Sequence, residues 1–540
     1  MPISRRELIA AMLGASALAH GCSKPSTELP DGELLGQSLE IGHKLREGFR
    51  PRPAEAAWQD IDIAIVGGGA SGLSAAWKLR KSGRDDFVVL ELETVPGGTS
   101  RSANSKLSAY PWGAHYVPVP FAENRELNQL FVEMGVVEGF AADGSPIVAE
   151  QYLCRDPEER LYCEGKWIEG LYPATGASSD DALQAAAFRA EVDRWVDFRD
   201  ASGQRAFVTP TSLASRDPAV TDLDRISMSD WLIQHGFTST RLLWQVNYAC
   251  RDDYGLTADE TSAWAGLLYF AARLKAPGAE PQPFITWADG NGSIIGHLSH
   301  GAGTRLKTGM AVTQITPTTR DGKDCVEVIC YDTRTDQVTG YRARHVISAL
   351  PQFLTSRLID GFAVRTGRRT NEFEYGSWIV ANLHLRDRPR EHGFPLCWDN
   401  VIHGSQSLGY VVATHQSGRD HGPTILTWYY PLCGGSATSL RKELLGANWS
   451  DLAEVVLTDL ERPHPEIRKL TSRLDIFRWG HAMVRPKPGF ITSQQRIEAQ
   501  RADGRIHFAN TDLSGIALFE EAFDHGCRAA MEVISQSGAF

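Results

Sequence analysis

Residues 61–72 begin with a β-branched run and end in a glycine-rich turn: Ile61-Asp62-Ile63-Ala64-Ile65-Val66-Gly67-Gly68-Gly69-Ala70-Ser71-Gly72. The β-branched run predicts a short buried strand of a parallel sheet. The next residues, Leu73 to Ser82, predict a helix with one apolar face, which Gly83 ends. A second strand is predicted over Phe87 to Leu92. The order of strand, glycines, helix and strand is that of a dinucleotide-binding unit.

The chemistry of such a unit explains each residue type. Gly67 permits the tight turn, Gly69 lets backbone N–H groups approach a pyrophosphate, and Gly72 lets the helix pack closely on the strand. The positive end of the helix favours the phosphates. Glu91 ends the second strand, where a carboxylate accepts hydrogen bonds from ribose hydroxyls. We therefore assign dinucleotide binding to Gly67, Gly69, Ala70, Ser71, Gly72 and Glu91.

A second glycine pair points to the kind of dinucleotide. Val89-Leu90-Glu91, followed after a short gap by Gly97-Gly98, resembles the N-terminal signature of the flavoprotein superfamily that includes amine oxidases, phytoene-type desaturases and protoporphyrinogen oxidase. The resemblance implies that this pair lets the backbone approach the phosphates and ribityl chain of FAD. An arginine usually follows the pair in the family, whereas here Thr99 stands in that place and Arg101 comes two residues later.

Further segments extend the resemblance over most of the chain. Val312 matches a strand residue that contacts the adenine, and residues 346–351 resemble the strand that returns beneath the cofactor. Residues 504–530 resemble the closing strand, loop and helix, and residues 110–116 the loop that covers the flavin. FAD is long, so its ring must be held by chain distant from the first unit, which a nicotinamide enzyme does not need. The resemblance adds as cofactor-binding residues Gly97, Gly98, Thr99, Arg101, Gly113, Ala114, Val312, Asp512 and Ala522.

The family layout implies an α/β fold in two interleaved parts. A discontinuous Rossmann-like FAD-binding domain is expected over 58–120, 291–351 and 479–535. An inserted α+β substrate domain is expected over 121–290 and 352–478. Periodicity predicts amphipathic helices over 124–134 and 182–198, and strands over 408–414 and 424–430.

Two histidines are candidate catalytic residues. His115 follows the loop expected over the flavin, where it could polarise N5 or a substrate, although a histidine that caps a buried loop is the plainer interpretation. His481 lies in a segment that resembles the entry to the last cofactor-binding part; an ordinary loop histidine is its alternative.

The chain also departs from the amine oxidases it resembles. Many of them place a lysine a few residues after the proline of the returning strand, and residues 351–357 contain none. They commonly place a tyrosine in a C-terminal Gly-Tyr pair that helps form an aromatic cage, where this chain has Gly515-Ile516. Other aromatic residues could replace that tyrosine: Trp428, Tyr429 or Phe519.

Three functions therefore remain open. The first is a FAD-dependent oxidoreductase that oxidises an amine or polyamine-like small molecule by hydride transfer to flavin N5, passing electrons to oxygen, a quinone or another protein. The second is a FAD-dependent desaturase or dehydrogenase of an apolar polyprenoid or tetrapyrrole. The third is a FAD-binding protein without catalysis. The aromatic and acidic segments 244–254 and 264–270 fit either a substrate-pocket wall or a plain helical core.

Charge and cysteine usage exclude other classes. The 540 residues include 66 Asp and Glu against 55 Lys and Arg, so the net charge of -11 repels phosphate backbones and nucleic acid is not an expected partner. The nine cysteines form no pair or His/Cys cluster with metal-binding spacing, so no metal site is expected. Cys154 and Cys163 either pair or stay as free thiols.

The first thirty residues resemble an export signal and tether. Ser4-Arg5-Arg6 precedes an apolar run, Leu8 to Ala19, that is too short for a membrane span but typical of a twin-arginine leader. Cys22 follows small residues and is a possible lipid-attachment site. The expected location is therefore the periplasm, with or without a lipid anchor at Cys22; an amphipathic first helix is the alternative.

Overall fold

The structure, a computed structural model, describes residues 29–537. Residues 1–28 of the predicted leader and tether, with Cys22 among them, lie outside the described residues. The strands are β1 (Leu34–Gly36), β2 (Trp58–Val66), β3 (Phe87–Leu90), β4 (Ser102–Asn104), β5 (Ala109–Pro111), β6 (Tyr116–Pro118), β7 (Val137–Phe140), β8 (Pro146–Val148), β9 (Glu159–Cys163), β10 (Lys166–Glu169), β11 (Phe284–Thr286), β12 (Leu306–Lys307), β13 (Met310–Arg320), β14 (Lys323–Asp332), β15 (Val338–Ser348), β16 (Tyr375–Leu385), β17 (Asp399–Ile402), β18 (Gly409–Val412), β19 (Thr424–Leu432), β20 (Thr471–Val484) and β21 (Ile506–Phe508).

The α-helices follow the same chain order. They are α1 (Leu39–Arg46), α2 (Ala70–Lys81), α3 (Arg125–Glu133), α4 (Ser179–Asp197), α5 (Pro218–Thr221), α6 (Met228–Gln234), α7 (Thr240–Tyr254), α8 (Ala263–Ala271), α9 (Gly292–Ala302), α10 (Gln352–Leu358), α11 (Phe362–Thr366), α12 (Ala437–Gly446), α13 (Trp449–Leu460), α14 (Ile467–Leu470), α15 (Gln494–Ala499) and α16 (Phe519–Ser537).

The first sheet is built around the predicted βαβ unit. Its strand order is β12-β3-β2-β15-β14-β13, and β21 also pairs with β15. The strands β2, β3, β15 and β21 that surround the glycine turn are parallel where they pair. Helices α2 and α16 pack against each other beside this sheet. The carboxyl ends of the parallel strands therefore meet at one edge, where cofactors bind in open α/β sheets.

A second sheet carries the other half of the candidate site. Its order is β1-β20-β16-β19-β18-β17-β9-β10, so strands from both ends and the middle of the chain lie side by side. Strands β17 and β9 pair in parallel and bring Asp399 opposite Glu159. The strands β16 and β19 are buried over almost their whole length, as expected for the centre of a large sheet, whereas β20 alternates buried and partly exposed stretches.

A helical layer of α4, α6, α7 and α8 packs beside the two sheets around buried side chains such as Trp231, Val246 and Trp264. The sequence fixes where α4 begins, because Ser178 and Asp181 form a capping box. Helix α7 begins at the side-chain cap of Ser239 and ends at Gly255, whose φ of +61° suits a glycine.

Most predicted elements agree with the observed ones. The helix predicted from Leu73 begins earlier, at Ala70, because the glycine turn is already its first turn. The strands predicted from periodicity appear as β18 and β19, and the helices as α3 and α4. The boundaries of the two interleaved domains stay a prediction.

Candidate active site

A cleft of about 790 Å³ runs along the carboxyl edge of the first sheet. This volume lies within the roughly 300–1,000 Å³ of small-molecule and cofactor sites. We call it the cofactor cleft. It is lined by twelve of the fifteen predicted cofactor-binding residues, namely Gly67, Gly69, Ala70, Ser71, Glu91, Gly97, Gly98, Thr99, Arg101, Val312, Asp512 and Ala522.

The glycines of the cleft are required by its backbone geometry. Gly67 has a φ of +105° and Gly97 a φ of +118°, both in the region that favours glycine. Gly72 does not line the cleft, but a Cβ on it would lie 1.9 Å from the carbonyl oxygen of Gly67. Gly72 therefore acts by letting α2 start immediately behind the turn.

Glu91 is anchored by backbone N–H groups. Its Oε2 accepts from the Gly68 N–H at 2.6 Å and its Oε1 from the Glu93 N–H at 2.8 Å. Burial raises its pKa above the ordinary value. Each carboxylate oxygen has a second lone pair, so the side chain keeps acceptor capacity for a ribose hydroxyl.

Thr99 and Arg101 both reach the cleft, so the structure brings together the two residues that could meet the phosphates. The Arg101 guanidinium lies 3.8 Å from a carboxylate oxygen of Glu93 and over the ring of Phe477. Its Nε is buried without a hydrogen-bond partner within residues 29–537. A buried donor without a partner, facing a cleft, fits an anionic ligand.

The far end of the cleft is organised by Asp512. Its Oδ2 accepts hydrogen bonds from the Gln352 N–H at 2.8 Å and from the Tyr375 hydroxyl. Burial raises the pKa of Asp512 to about 6. Together, the glycine turn, the acceptor at Glu91 and the orphaned donor at Arg101 fit a dinucleotide with a diphosphate.

A second space, which we call the inner cavity, adjoins the cofactor cleft; Thr99, Trp479 and Ala482 line both. Gly113 and Ala114, the remaining predicted cofactor residues, line the inner cavity and not the cleft. A Cβ on Gly113 would lie 2.1 Å from the Thr99 carbonyl oxygen, so this loop closes tightly on residue 99.

His115 lines the inner cavity. Its ring lies 4.8 Å from that of Tyr429, and its Nδ1 lies 3.4 Å from the Gly113 carbonyl oxygen. Burial lowers its pKa to about 4. The imidazole is therefore neutral near pH 7 and can exchange hydrogen bonds but not serve as a cation.

His481 and His115 line different spaces. His481 lines the cofactor cleft and not the inner cavity, and its ring stacks on Phe353 at 4.3 Å. Burial lowers the pKa of His481 to about 3. The structure therefore does not bring the two candidate histidines into one cavity.

Carboxylates dominate the charge of the inner cavity. Asp252, Asp253 and Asp399 line it, and the Arg273 guanidinium binds both oxygens of Asp253 at 3.3 Å. Neither Asp252 nor Asp399 forms an ion pair among the salt bridges of residues 29–537. Glu159, opposite Asp399 in the sheet, adds another acid beside them. Asp253 is buried and Asp252, Asp399 and Glu159 are partly buried, so acids outnumber cations around the cavity.

Burial and mutual repulsion raise the pKa values of these acids. The pKa of Asp252 rises to about 8, through burial and then through the charge of Asp253. The pKa of Glu159 rises to about 7, and that of Asp399 rises well above its usual value. Asp252 and Asp253 also stand in the last turn of α7, where the helix dipole disfavours negative charge. This placement costs stability and therefore points to function.

Aromatic rings form much of the remaining wall. Of the three residues considered as replacements for the family tyrosine, Tyr429 and Phe519 line the inner cavity. Trp428 does not, because neighbouring residues of a strand face opposite sides, and its indole N–H instead donates to Asp459 at 2.9 Å. Tyr248 and Tyr269, from the segments 244–254 and 264–270, also line the cavity, so those segments form pocket wall as well as core.

A sequence model of the family described as flavin containing amine oxidoreductase matches residues 70–534. The chain belongs to this family. The resemblance predicted from the sequence and the FAD cofactor are thereby confirmed.

Curated relatives match this chain either over most of its length or over one short segment. Amine oxidase [flavin-containing] B of Bos taurus is 22% identical over 494 residues, which are 88% of this chain and 86% of the relative. A Baeyer-Villiger monooxygenase of Pseudomonas aeruginosa is 33% identical over only 125 residues, 23% of this chain. That local match spans 20% of the monooxygenase, so it reflects one shared segment.

Solved structures show the fold. Putrescine oxidase bound to putrescine superposes with a TM-score of 0.65 at 17% identity, over 88% of this chain and 100% of the other. A CLA-producing fatty acid isomerase from P. acnes superposes with a TM-score of 0.60 at 15% identity, over 87% and 98%. The predicted α/β fold class is confirmed.

The sequence patterns missed the cavity residues Arg273, Asn291 and Asp399, and Glu159, which lies opposite Asp399 in the sheet. Asp399 and Glu159 come from strands far apart in the chain, so no local pattern links them. A usable signal existed for Arg273, because a lone arginine follows the apolar helix α8 directly.

Other sequence expectations have simple outcomes. Cys154 and Cys163 are free, buried thiols, so the disulfide alternative is wrong. Within the described chain, no group of three or more His, Cys, Asp or Glu side chains is arranged to hold a metal ion. No helix between residues 29 and 537 is long and apolar enough to cross a bilayer.

Proposed function

We propose that this protein oxidises a cationic amine, preferably a polyamine-like molecule with more than one positive charge. The observation that carries the proposal is the pair Asp252 and Asp399 in the inner cavity, neither of which forms a salt bridge within residues 29–537. When bound, FAD supplies the hydride acceptor at N5. The protein supplies binding, orientation and exclusion of water.

The carboxylates hold the ammonium groups. A buried acid whose charge is unmatched is costly, and an incoming cation relieves that cost. The Arg273 guanidinium binds Asp253, so the acids that remain for substrate include Asp252 and Asp399. Two acids on one wall suit two ammonium groups better than one.

The aromatic wall orients the carbon that is oxidised. Trp479 lines both the inner cavity and the cofactor cleft, and Tyr429 lines the inner cavity. Aromatic faces attract cations and exclude water. Amine oxidation also requires the ammonium to lose a proton before a hydride can leave the adjacent carbon. Burial raises the pKa of Asp252 to about 8, so this carboxyl can accept that proton only once it is ionised, above about pH 8 or beside a bound cation.

A second candidate is oxidation of an apolar substrate such as a polyprenoid or tetrapyrrole. It is favoured by the absence of lysine in residues 351–357 and by the likeness to a fatty acid isomerase. A FAD protein without catalysis is the third candidate. The buried acids argue against the second, because an apolar substrate would leave them uncompensated.

An anaerobic half-reaction separates the three candidates. The holoenzyme is mixed with putrescine, spermidine, monoamines, a polyene and a porphyrinogen, and the flavin absorbance is followed. Bleaching by the amines, fastest with the di- and triamines, is expected. Bleaching only by the apolar compounds would replace the proposal by the second candidate, and no bleaching by any of them would leave the third.

We also propose that the protein is exported folded, with FAD already bound, by its twin-arginine-like leader. The leader lies outside the described residues, so the proposal rests on the sequence of residues 4–22. Cell fractionation with N-terminal sequencing tests it. Replacing Arg5 and Arg6 by lysine should retain the unprocessed protein in the cytoplasm; processing and export unaffected by that change would contradict the proposal.

A further inference from the structure

Asn291 lines the inner cavity with a side chain that is completely buried. Neither its Oδ1 nor its Nδ2 has a hydrogen-bond partner within the described part of the chain. Buried polar atoms are nearly always paired, and each orphan destabilises the fold. Because both polar atoms of this amide are unpaired and Asn291 lines a cavity, we expect them to bind a partner that the protein itself does not supply.

The Asn291 side chain does not cap the helix that it precedes. Asn291 is the N-cap residue of α9, a position where asparagine is favoured because its side-chain oxygen accepts from a helical N–H. Here the side chain makes no such bond. A simple role in helix capping therefore does not explain why an asparagine stands there.

The backbone around Asn291 is held tightly. Its N–H donates to the Ala114 carbonyl at 3.1 Å. A Cβ on Gly290 would lie 2.7 Å from the Cα of His115, and one on Gly292 would lie 2.2 Å from the Ser102 Oγ. Gly290 thus lets the chain press against the 113–115 loop and Gly292 lets it press against Ser102, and together they hold the backbone that carries the amide.

The donor and acceptor pattern identifies the ligand chemistry. An ammonium group only donates, so it would pair Oδ1 and leave Nδ2 without a partner; a hydrocarbon would pair neither. The pyrimidine ring of a flavin carries the N3–H donor beside carbonyl acceptors. We propose that the Asn291 carboxamide binds this edge of the flavin, accepting from N3–H and donating to a neighbouring carbonyl. The inference rests on the FAD cofactor and not on the proposed amine substrate.

The test uses Asn291→Ala and FAD methylated at N3, which lacks the donor. Both proteins are reconstituted with FAD or with 3-methyl-FAD, and the dissociation constants are measured by flavin fluorescence. Asn291→Ala should weaken FAD binding about ten- to hundredfold, since about two hydrogen bonds are lost. The native protein should prefer FAD over 3-methyl-FAD by a similar factor, whereas Asn291→Ala should bind the two almost equally.

Asn128→Ala is the matched control, because Asn128 is also buried with an unpaired Oδ1 but lines neither cavity. It should leave the preference for FAD unchanged. Equal discrimination against 3-methyl-FAD by the native protein and Asn291→Ala would overturn the proposal. So would a lower melting temperature of Asn291→Ala with unchanged FAD affinity, or a change confined to the KM of an amine.

Discussion

The cofactor cleft and the inner cavity are made in different ways. Backbone N–H groups and glycines form much of the cleft, and its central part comes from residues 67–101. Side chains form the inner cavity, and they come from α7, α8, β17 and the 113–115 loop. A diphosphate is the same in every FAD enzyme, so backbone groups suffice to bind it. A substrate differs between enzymes, so variable side chains must recognise it.

The largest effect is expected in the cleft. Gly72→Ala places a Cβ 1.9 Å from the Gly67 carbonyl oxygen, which forces the turn and α2 apart. Overpacking against rigid backbone costs about 1–3 kcal/mol or more, so the purified protein should retain less than about a tenth of its flavin. The ratio of flavin to protein absorbance measures this. Gly296→Ala, in α9 with open space around it, is the control and should keep full flavin; full flavin in Gly72→Ala would refute the packing role.

The next effect is expected in the inner cavity. Asp252→Asn and Asp399→Asn remove an acid that we assign to substrate binding while keeping its shape. Loss of one partner of a buried charge pair costs about 2–4 kcal/mol, so kcat/KM for putrescine should fall about 30- to 1,000-fold. Asp259→Asn, an exposed aspartate next to the same helical layer, should change little. Equal losses for a neutral substrate would show that the two acids act on folding and not on charge recognition.

The difference between the cofactor cleft and the inner cavity also decides which site residues can be predicted from the sequence. Residues 61–72, Glu91 and Gly97 were found because a βαβ unit concentrates them in a short, ordered segment. Asp399 was missed because it meets Glu159 only through the β17 and β9 pairing of distant segments. Trp428 was proposed for the cage because the sequence does not state which face of β19 is inward. Long-range pairing and strand facing are tertiary properties, so local patterns cannot supply them.

The third effect is a dependence of stability and of cation affinity on pH, which comes from the titration of Glu159 and Asp252. In the unfolded chain these carboxyls lose their protons near pH 4, whereas in the fold Glu159 and Asp252 keep theirs up to about pH 7 and 8. The folded state therefore binds more protons between these values, so these groups make stability fall as pH rises. A bound cation favours the charged form. Its affinity should therefore rise with pH.

Tetramethylammonium tests this, because it carries a charge that does not titrate. Its inhibition constant for the holoenzyme should fall by up to about tenfold per pH unit between pH 6 and 8, then level off. The neutral isostere tert-butanol should show no such trend, and Asp252→Asn should flatten the curve for the cation. A curve that is flat in the native enzyme would mean that the acids are already ionised without a ligand.

The smallest effect is expected for His115, which lines the inner cavity. The imidazole is buried and its pKa is lowered to about 4, so it does not titrate between pH 6 and 9. If it only packs against Tyr429 and closes the loop, His115→Phe should lower kcat less than about tenfold and leave the pH profile unchanged. General acid–base catalysis contributes about 100- to 10,000-fold, so a loss of that size would make His115 a catalytic residue. Tyr429→Phe is the matched comparison, since it removes only the hydrogen bond donated to the Gly113 carbonyl at 2.9 Å and keeps the ring beside His115.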